Sequence, residues 1–410
     1  MKKTKLSGLE VLLDLGLQPI SNRFLPPSSN ESVPHYPMKF MLDKETGLVR
    51  LESPFPVEDV KPRYDWLTCF EPEDHLDDMI EKILDLPNIN KNSVFAGYSF
   101  KDDSTLARLS AKGYQKLWRI EPQPDLGVSD LCANIETYQS VFTVAKAKQI
   151  QKRREYADVM IVRHVVEHAY DLPEFVSAIN TLIHKEGYIV WELPDCESAL
   201  SKGDCTTIWE EHIHYFTSHT FKQMLENSGF TIIHYESVPY PLEDSLVVIT
   251  KKNKKGKSSV LLDENAVNVE NDRAYQFAKK VTERKKVIQE KLRKYKKNSE
   301  SIVMFGAGHL SVAFIAMMEI ADMIDFVVDD NPHKRGMLMP IGGIEILGSD
   351  SLNSREVSLC LLGLNPLNQP KVITKHTSFT KEGGIFASIF PGTDLAIDRS
   401  CDRNINYDSN

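Results

Sequence analysis

Paired cysteines are missing from this 410-residue chain. The six present are Cys69, Cys132, Cys196, Cys205, Cys360 and Cys401, with no CxxC and no spacing of a disulfide framework or zinc knuckle. They read as reduced thiols, which points to the cytoplasm. No run approaches the ~18 apolar residues of a membrane span. The segment Met1–Gly16 carries lysines but no apolar stretch of leader length, so no secretory signal is expected. A basic excess is missing too. With 49 Lys and Arg against 58 Asp and Glu, the net charge is −9, which disfavours nucleic acid or an acidic membrane as main partner.

What remains is an ordinary globular balance, 41% hydrophobic and 26% charged, over a length that suits two or three domains. Residues 1–78 are rich in proline and turn formers and read as a small irregular domain. From residue 93 to 195, strand-like and helix-like stretches alternate: strands over 93–99, 116–122, 158–165 and 188–195, helices over 103–113, 145–157 and 172–187. Strands separated by helices imply a parallel sheet covered on both faces. The run closes with a helix over 218–229 and then two strands, 230–238 and 245–252, with no helix between them. A parallel βα run ended by a β-hairpin is the seven-strand plan of class I methyltransferases. Residues 79–255 are assigned to that Rossmann-like domain, 256–298 to a charged, solvent-facing helical connector, and 299–410 to a second Rossmann-like α/β domain.

Four places concentrate chemistry. The loop after the first central strand begins at Gly97 and runs through Ser99 to Asp102; a glycine there lets backbone approach a ligand at the sheet's carboxyl edge. Glu121 ends the second strand, 24 residues on, where an acid can accept the ribose hydroxyls of an adenosine cofactor. His164 and His168 flank an HxxEH pattern that, on a helix, would hold zinc. The pattern instead follows a buried strand, and the next helix is expected to begin near Asp171–Pro173, so no metal is assigned. The stretch Trp209–Phe216 gathers Glu211, His212 and Tyr215, a combination suited to proton abstraction. In the last unit, Gly306, Gly308 and His309 open a helix after a strand, a phosphate-cradling arrangement, with Asp329 ending the next strand.

Taken together, these residues resemble the three-domain C-methyltransferases of nucleotide-linked 4-keto-deoxysugars. The likeness rests on Asp14-Leu15-Gly16-Leu17-Gln18-Pro19, Glu167-His168, Glu192-Leu193-Pro194, Glu211-His212 with Tyr215-Phe216, Gly306-Ala307-Gly308, and Asp329-Asp330-Asn331-Pro332-His333-Lys334-Arg335-Gly336. The resemblance implies S-adenosylmethionine as cofactor, held by Gly97, Ser99, Asp102, Glu121 and His164. It implies His212 as base with Glu211 beside it and His168 and Tyr215 near the enolate oxygen. It also implies a nucleotide-sugar substrate touched by Tyr64, Trp66, Gly306, Gly308, His309, Asp329, Asn331 and Lys334. Two departures stand out. The family's zinc-ligating cysteines are missing from residues 1–14 and 41–47, so the N-terminal domain is expected to fold without zinc. The family's G-x-N-D-G loop is replaced here by Gly97-Tyr98-Ser99-Phe100-Lys101. O- or N-methylation of a surface-sugar precursor, and a binding protein that keeps the fold without catalysis, stay open as alternatives. So does the oligomeric state.

Overall fold

The computed structural model describes residues 8–64, 71, 73–130, 132–240, 242–252 and 263–399. Trp66, Cys69 and Cys401 lie outside them. Cys132, Cys196, Cys205 and Cys360 are free thiols. Among the described residues no helix is long and apolar enough to cross a membrane.

The N-terminal part is a sheet of β1 (Leu9–Pro19), β2 (His35–Asp43) and β3 (Val49–Leu51), paired antiparallel in that order. Its inward side chains, among them Phe24, Phe40, Leu42 and Leu51, are fully buried, while Leu12 and Leu15 are partly buried against them.

The central unit contains β4 (Phe95–Gly97), β5 (Leu117–Arg119), β6 (Ala157–Arg163), β7 (Ile183–Asp195), β8 (His214–Tyr215), β9 (Phe230–Val238) and β10 (Asp244–Lys252). Six of these form one sheet in the order β5-β4-β6-β7-β10-β9. The first four are parallel, and β10 and β9 close the sheet as the expected antiparallel hairpin. Strand β6 is buried almost throughout, as a continuous apolar run between two helical layers should be. The sheet has one strand fewer than the seven-strand plan. Between β5 and β6 lies the helix Ile135–Val141, whose N-terminus is capped by the Asn134 side chain on the Thr137 N–H. The helix expected over 172–187 stops at Leu182, and its tail is the start of β7. Gly187 permits this, because a Cβ there would sit 3.0 Å from the carbonyl oxygens of Ala157 and Asp158 on the neighbouring strand.

Two segments join the units more closely than the expected division allows. Strand β8 pairs with β3, so the end of the stretch 209–216 completes the N-terminal sheet. The helix Leu76–Leu84 runs across the expected boundary at residue 78. The connector is the helix Glu264–Lys297, 34 residues long, and it is not merely solvent-facing. Ala274, Phe277, Val281, Ile288 and Leu292 repeat every three, four or seven residues and are buried in a core shared with the N-terminal sheet and the last unit. The ring of Phe277 lies 5.6 Å from that of Phe40.

The last unit is a five-stranded parallel sheet of β11 (Ile302–Phe305), β12 (Phe326–Val328), β13 (Ile346–Leu347), β14 (Leu359–Leu362) and β15 (Ile385–Ser388), ordered β13-β12-β11-β14-β15. The mixed α/β architecture with two Rossmann-like sheets is therefore the one the alternation of strands and helices implied.

Candidate active site

At the carboxyl edge of the central sheet the chain doubles back tightly after β4. The Ser99 side chain caps a short 3₁₀ turn over Phe100–Asp102. The Asp102 carboxylate, fully buried, accepts the N–H groups of Tyr98 at 2.7 Å, Ser99 at 2.9 Å and Arg163 at 3.0 Å. Gly97 is required by this loop itself, since a Cβ there would lie 2.9 Å from the Asp102 Cβ. Asp102 and Ser99 thus satisfy backbone groups of their own loop. The Tyr98 side chain is buried among Phe142, Phe175 and Tyr138.

Glu121 follows β5 with its side chain 42% exposed, and Arg119 bridges it to Asp103 at the start of the next helix. On the other side of the edge, His164 ends β6 with a left-handed backbone, φ 48°, which is unusual for a non-glycine residue. Its Nε2 is 3.0 Å from the Glu192 carboxylate and its Nδ1 3.5 Å from that of Glu71. Burial raises the Glu192 carboxyl, but hydrogen bonds from His164 and His75 and the charge of Arg163 outweigh it and hold it well below the usual range. Lys101, from the loop after β4, reaches Glu71 at 2.7 Å.

The remaining groups converge between the turn Val166–His168 and the loop 209–213. His168 is held through Nδ1 by the Glu136 carboxylate at 2.6 Å. The two segments are tied by the Ile213 N–H donating to the Glu167 carbonyl at 2.8 Å. The ring of His212 stands edge-on to His168 with centroids 4.8 Å apart, and it stays partly accessible. Burial, then the neighbouring His168 and Lys101, push His212 well below its ordinary value, which leaves the imidazole neutral. Burial, then the carboxylates of Glu136 and Glu210, push Glu211 well above its ordinary value. The groups set around Glu211 are thus Glu136 and His168, on the far side of His168 from Glu167.

Tyr215 is turned away from this cluster. Its hydroxyl accepts the Trp209 N–H at 3.1 Å and its ring packs on Phe40 at 4.6 Å, so it clasps the loop from the N-terminal side. The same loop touches all three units. Glu210 accepts the Ser21 N–H at 2.7 Å, the Trp209 indole donates to the Ser21 hydroxyl, and the indole stacks on His309 at 4.5 Å.

His309 opens the helix His309–Met318, next to Gly306 and Gly308. A Cβ on Gly308 would meet nothing within 4 Å, so space is open in front of that helix start. Asp329 and Asn331 are used locally. Asp329 accepts the N–H groups of Ala307 at 2.7 Å and Asn331 at 2.8 Å, and the Asn331 side chain accepts that of His333. Lys334 donates to the Ala307 carbonyl, and its ammonium lies 5.6 Å from the Phe24 ring. Tyr64 donates to the carbonyl of the same Phe24 at 3.0 Å.

Sequence reasoning missed Glu136, Glu192 and Lys101 as members of the site. Glu192 was visible as part of a quoted motif. Glu136 gave no local signal, because only the fold brings its helix under His168.

The residues suit an adenosyl cofactor on two observations. Glu121 keeps its carboxylate half in solvent at the strand end where a ribose would lie. His164 Nδ1, both carboxylate oxygens of Glu167 and His168 Nε2 are buried without a hydrogen-bond partner among the described residues, as polar groups awaiting a ligand would be.

Comparison with known proteins agrees. A methyltransferase domain model matches residues 101–235, and a C-methyltransferase C-terminal domain model matches residues 245–391. A curated relative, C-methyltransferase NovU of Streptomyces niveus, is 22% identical over 280 residues, and the match spans 66% of either chain, just under two thirds. Among solved structures, a 1,6-didemethyltoxoflavin-N1-methyltransferase of Burkholderia thailandensis aligns over 44% of this chain and 78% of its own, with 10% identity and a TM-score of 0.30. A magnesium protoporphyrin IX methyltransferase of Synechocystis aligns over 43% and 82%, also with 10% identity and a TM-score of 0.30. The chain thus carries a methyltransferase domain followed by a C-methyltransferase C-terminal domain, on a Rossmann-like fold.

Proposed function

We propose that this chain is an S-adenosylmethionine-dependent methyltransferase that acts on carbon, methylating a position beside the ketone of a nucleotide-linked deoxysugar through an enolate, with His212 as the base. The observation that carries the reading is the partly accessible, neutral imidazole of His212 packed edge-on at 4.8 Å to His168, itself anchored by Glu136. Bound at this edge, S-adenosylmethionine supplies an electrophilic methyl group. Glu121 would hold its ribose, and His164 with Lys101 would face its amino-acid end. Carbon is a poor nucleophile until a proton leaves it. His212 takes that proton, and His168, fixed through Nδ1, presents Nε2 toward the oxygen on which negative charge collects. Glu211, kept protonated by burial and then by its carboxylate neighbours, offers a second donor. The open start of the helix at Gly308, beside the stacked pair Trp209 and His309, would take the nucleotide phosphates, because N–H groups and the helix dipole favour anions there.

The test separates proton removal from methyl transfer. His212→Asn should lower exchange of the keto-sugar α-proton with deuterated water by ~10²–10⁴-fold, and methyl transfer in parallel, with cofactor affinity retained. Exchange at the parental rate in a folded variant would place the base elsewhere.

A further inference from the structure

We propose that Glu167, His168 and His212 form a binding site for a divalent ion of the zinc class, and that loading it silences methyl transfer. One ligand atom from each residue lies within 4.8 Å of the other two, and the Glu167 carboxylate is 3.8 Å from His168 Nε2. Zinc bonds nitrogen and oxygen ligands at about 2.0–2.2 Å. Two ligands on one ion therefore stand roughly 3–3.5 Å apart, which small side-chain rotations reach from here. Glu167 and His168 are each 2% exposed, and both Glu167 oxygens and His168 Nε2 are without a hydrogen bond among the described residues. Their positions are fixed by backbone, through the turn Val166–His168 and the Ile213–Glu167 hydrogen bond to the loop that carries His212.

The surroundings complete the resemblance to a metal centre. His168 gives its second nitrogen to Glu136 at 2.6 Å, the carboxylate–histidine arrangement that orients metal-bound imidazoles. Two imidazoles and one carboxylate favour zinc, cobalt or nickel over magnesium or calcium, which prefer all-oxygen shells. The nearby cation of Lys101 is paired with Glu71. Three protein ligands leave a fourth position open, and the partly accessible His212 gives an ion a way in. An ion on His212 takes the lone pair that proton abstraction needs. The inhibitory half rests on His212 being the base; the binding half does not.

Cobalt(II) is the probe, because its visible bands report coordination by nitrogen and oxygen. The full chain, stripped of metal, should develop such bands that saturate at one cobalt per chain and vanish on adding zinc. Glu167→Gln and His212→Asn should each abolish saturation, and Glu136→Gln should weaken binding by ~10–100-fold. Circular dichroism on each variant identifies any that has merely unfolded, and Glu136→Gln, which removes no ligand, keeps the proposal open to refutation if both ligand variants unfold. No bands at millimolar cobalt, or bands unchanged in folded Glu167→Gln, would overturn the site. Zinc bound there with undiminished methyl transfer would overturn the inhibition. If His212→Asn loses cobalt but still exchanges the α-proton in metal-free buffer, the base assignment fails while the metal site stands.

Discussion

The two Rossmann-like sheets of this chain each carry a glycine loop closed by an aspartate, yet they use the acid differently. After β4, Asp102 comes from the loop itself and accepts three N–H groups, leaving Glu121 at the next strand end half in solvent. After β11, the loop has no such acid. Asp329, the residue at the next strand end, turns back to accept the Ala307 N–H and meets Lys334 at 3.3 Å. Under the proposed function, the first sheet keeps its strand-end carboxylate for a ribose. The second has committed its own to loop closure and instead leaves open the start of a helix at Gly308. On that reading one edge takes a nucleoside and the other an anion, although both sequences read as glycine loops.

The comparison breaks most readily at Asp102. Asp102→Ala strands the buried N–H groups of Ser99 and Arg163 and leaves that of Tyr98 only the Ile161 carbonyl, and each unsatisfied donor costs ~1–3 kcal/mol. Allowing for partial relaxation, chemical denaturation should show a loss of about 3–5 kcal/mol. A loss under about 1 kcal/mol would mean that the carboxylate does not hold the loop.

The glycines sharpen the contrast. Gly97→Ala forces a methyl group against Asp102 Cβ at 2.9 Å and should cost about 1–3 kcal/mol. Gly308→Ala meets nothing within 4 Å, and its φ of −124° suits any residue, so stability should change by less than about 1 kcal/mol. Its effect should fall on the Michaelis constant for the nucleotide sugar. Equal stability losses in the two variants would remove the distinction between a filled loop and an open one.

A smaller effect belongs to pH. Burial, and then the charge of Lys334, lower His309 to about 4. Folded His309 stays neutral while the unfolded chain takes up a proton below ~6.5, so the stability it contributes is present above that pH and is lost as pH falls toward 4. The loss should be on the order of 1 kcal/mol, since the ring is partly accessible. His309→Phe should flatten the dependence of the unfolding midpoint on pH over that window, and an unchanged slope would assign the acid sensitivity to other groups.

Much of the fold was legible because it rests on local pattern. The apolar run of β6, the hairpin β9–β10 and the strands β11, β12, β14 and β15 all stand where hydrophobic periodicity and turn residues put them. The helix Ile135–Val141 shows a competition that local pattern alone does not decide. Tyr138, Val141 and Phe142 favour strand in isolation, but Asn134 caps a helix and Gln139 anchors it by donating to the Val165 carbonyl at 3.1 Å. The long helix looked like a linker because nearly half of its residues are charged, and its buried stripe has partners only in distant parts of the chain. The site was legible where residues cluster in sequence, at Glu167-His168 and Glu211-His212. Glu136 and Lys101 arrive from separate loops and helices, and no spacing rule could have placed them under His168 or against Glu71.

Cofactor binding by the first edge and not the second is tested most directly by calorimetric titration of S-adenosylhomocysteine into the parent chain, Glu121→Ala and Asp329→Ala. Loss of a hydrogen bond to a charged group predicts affinity weakened by about 1.5–3 kcal/mol in Glu121→Ala, with Asp329→Ala binding as the parent does. Unchanged affinity in folded Glu121→Ala, or a comparable loss in Asp329→Ala, would contradict the division of labour between the two sheets.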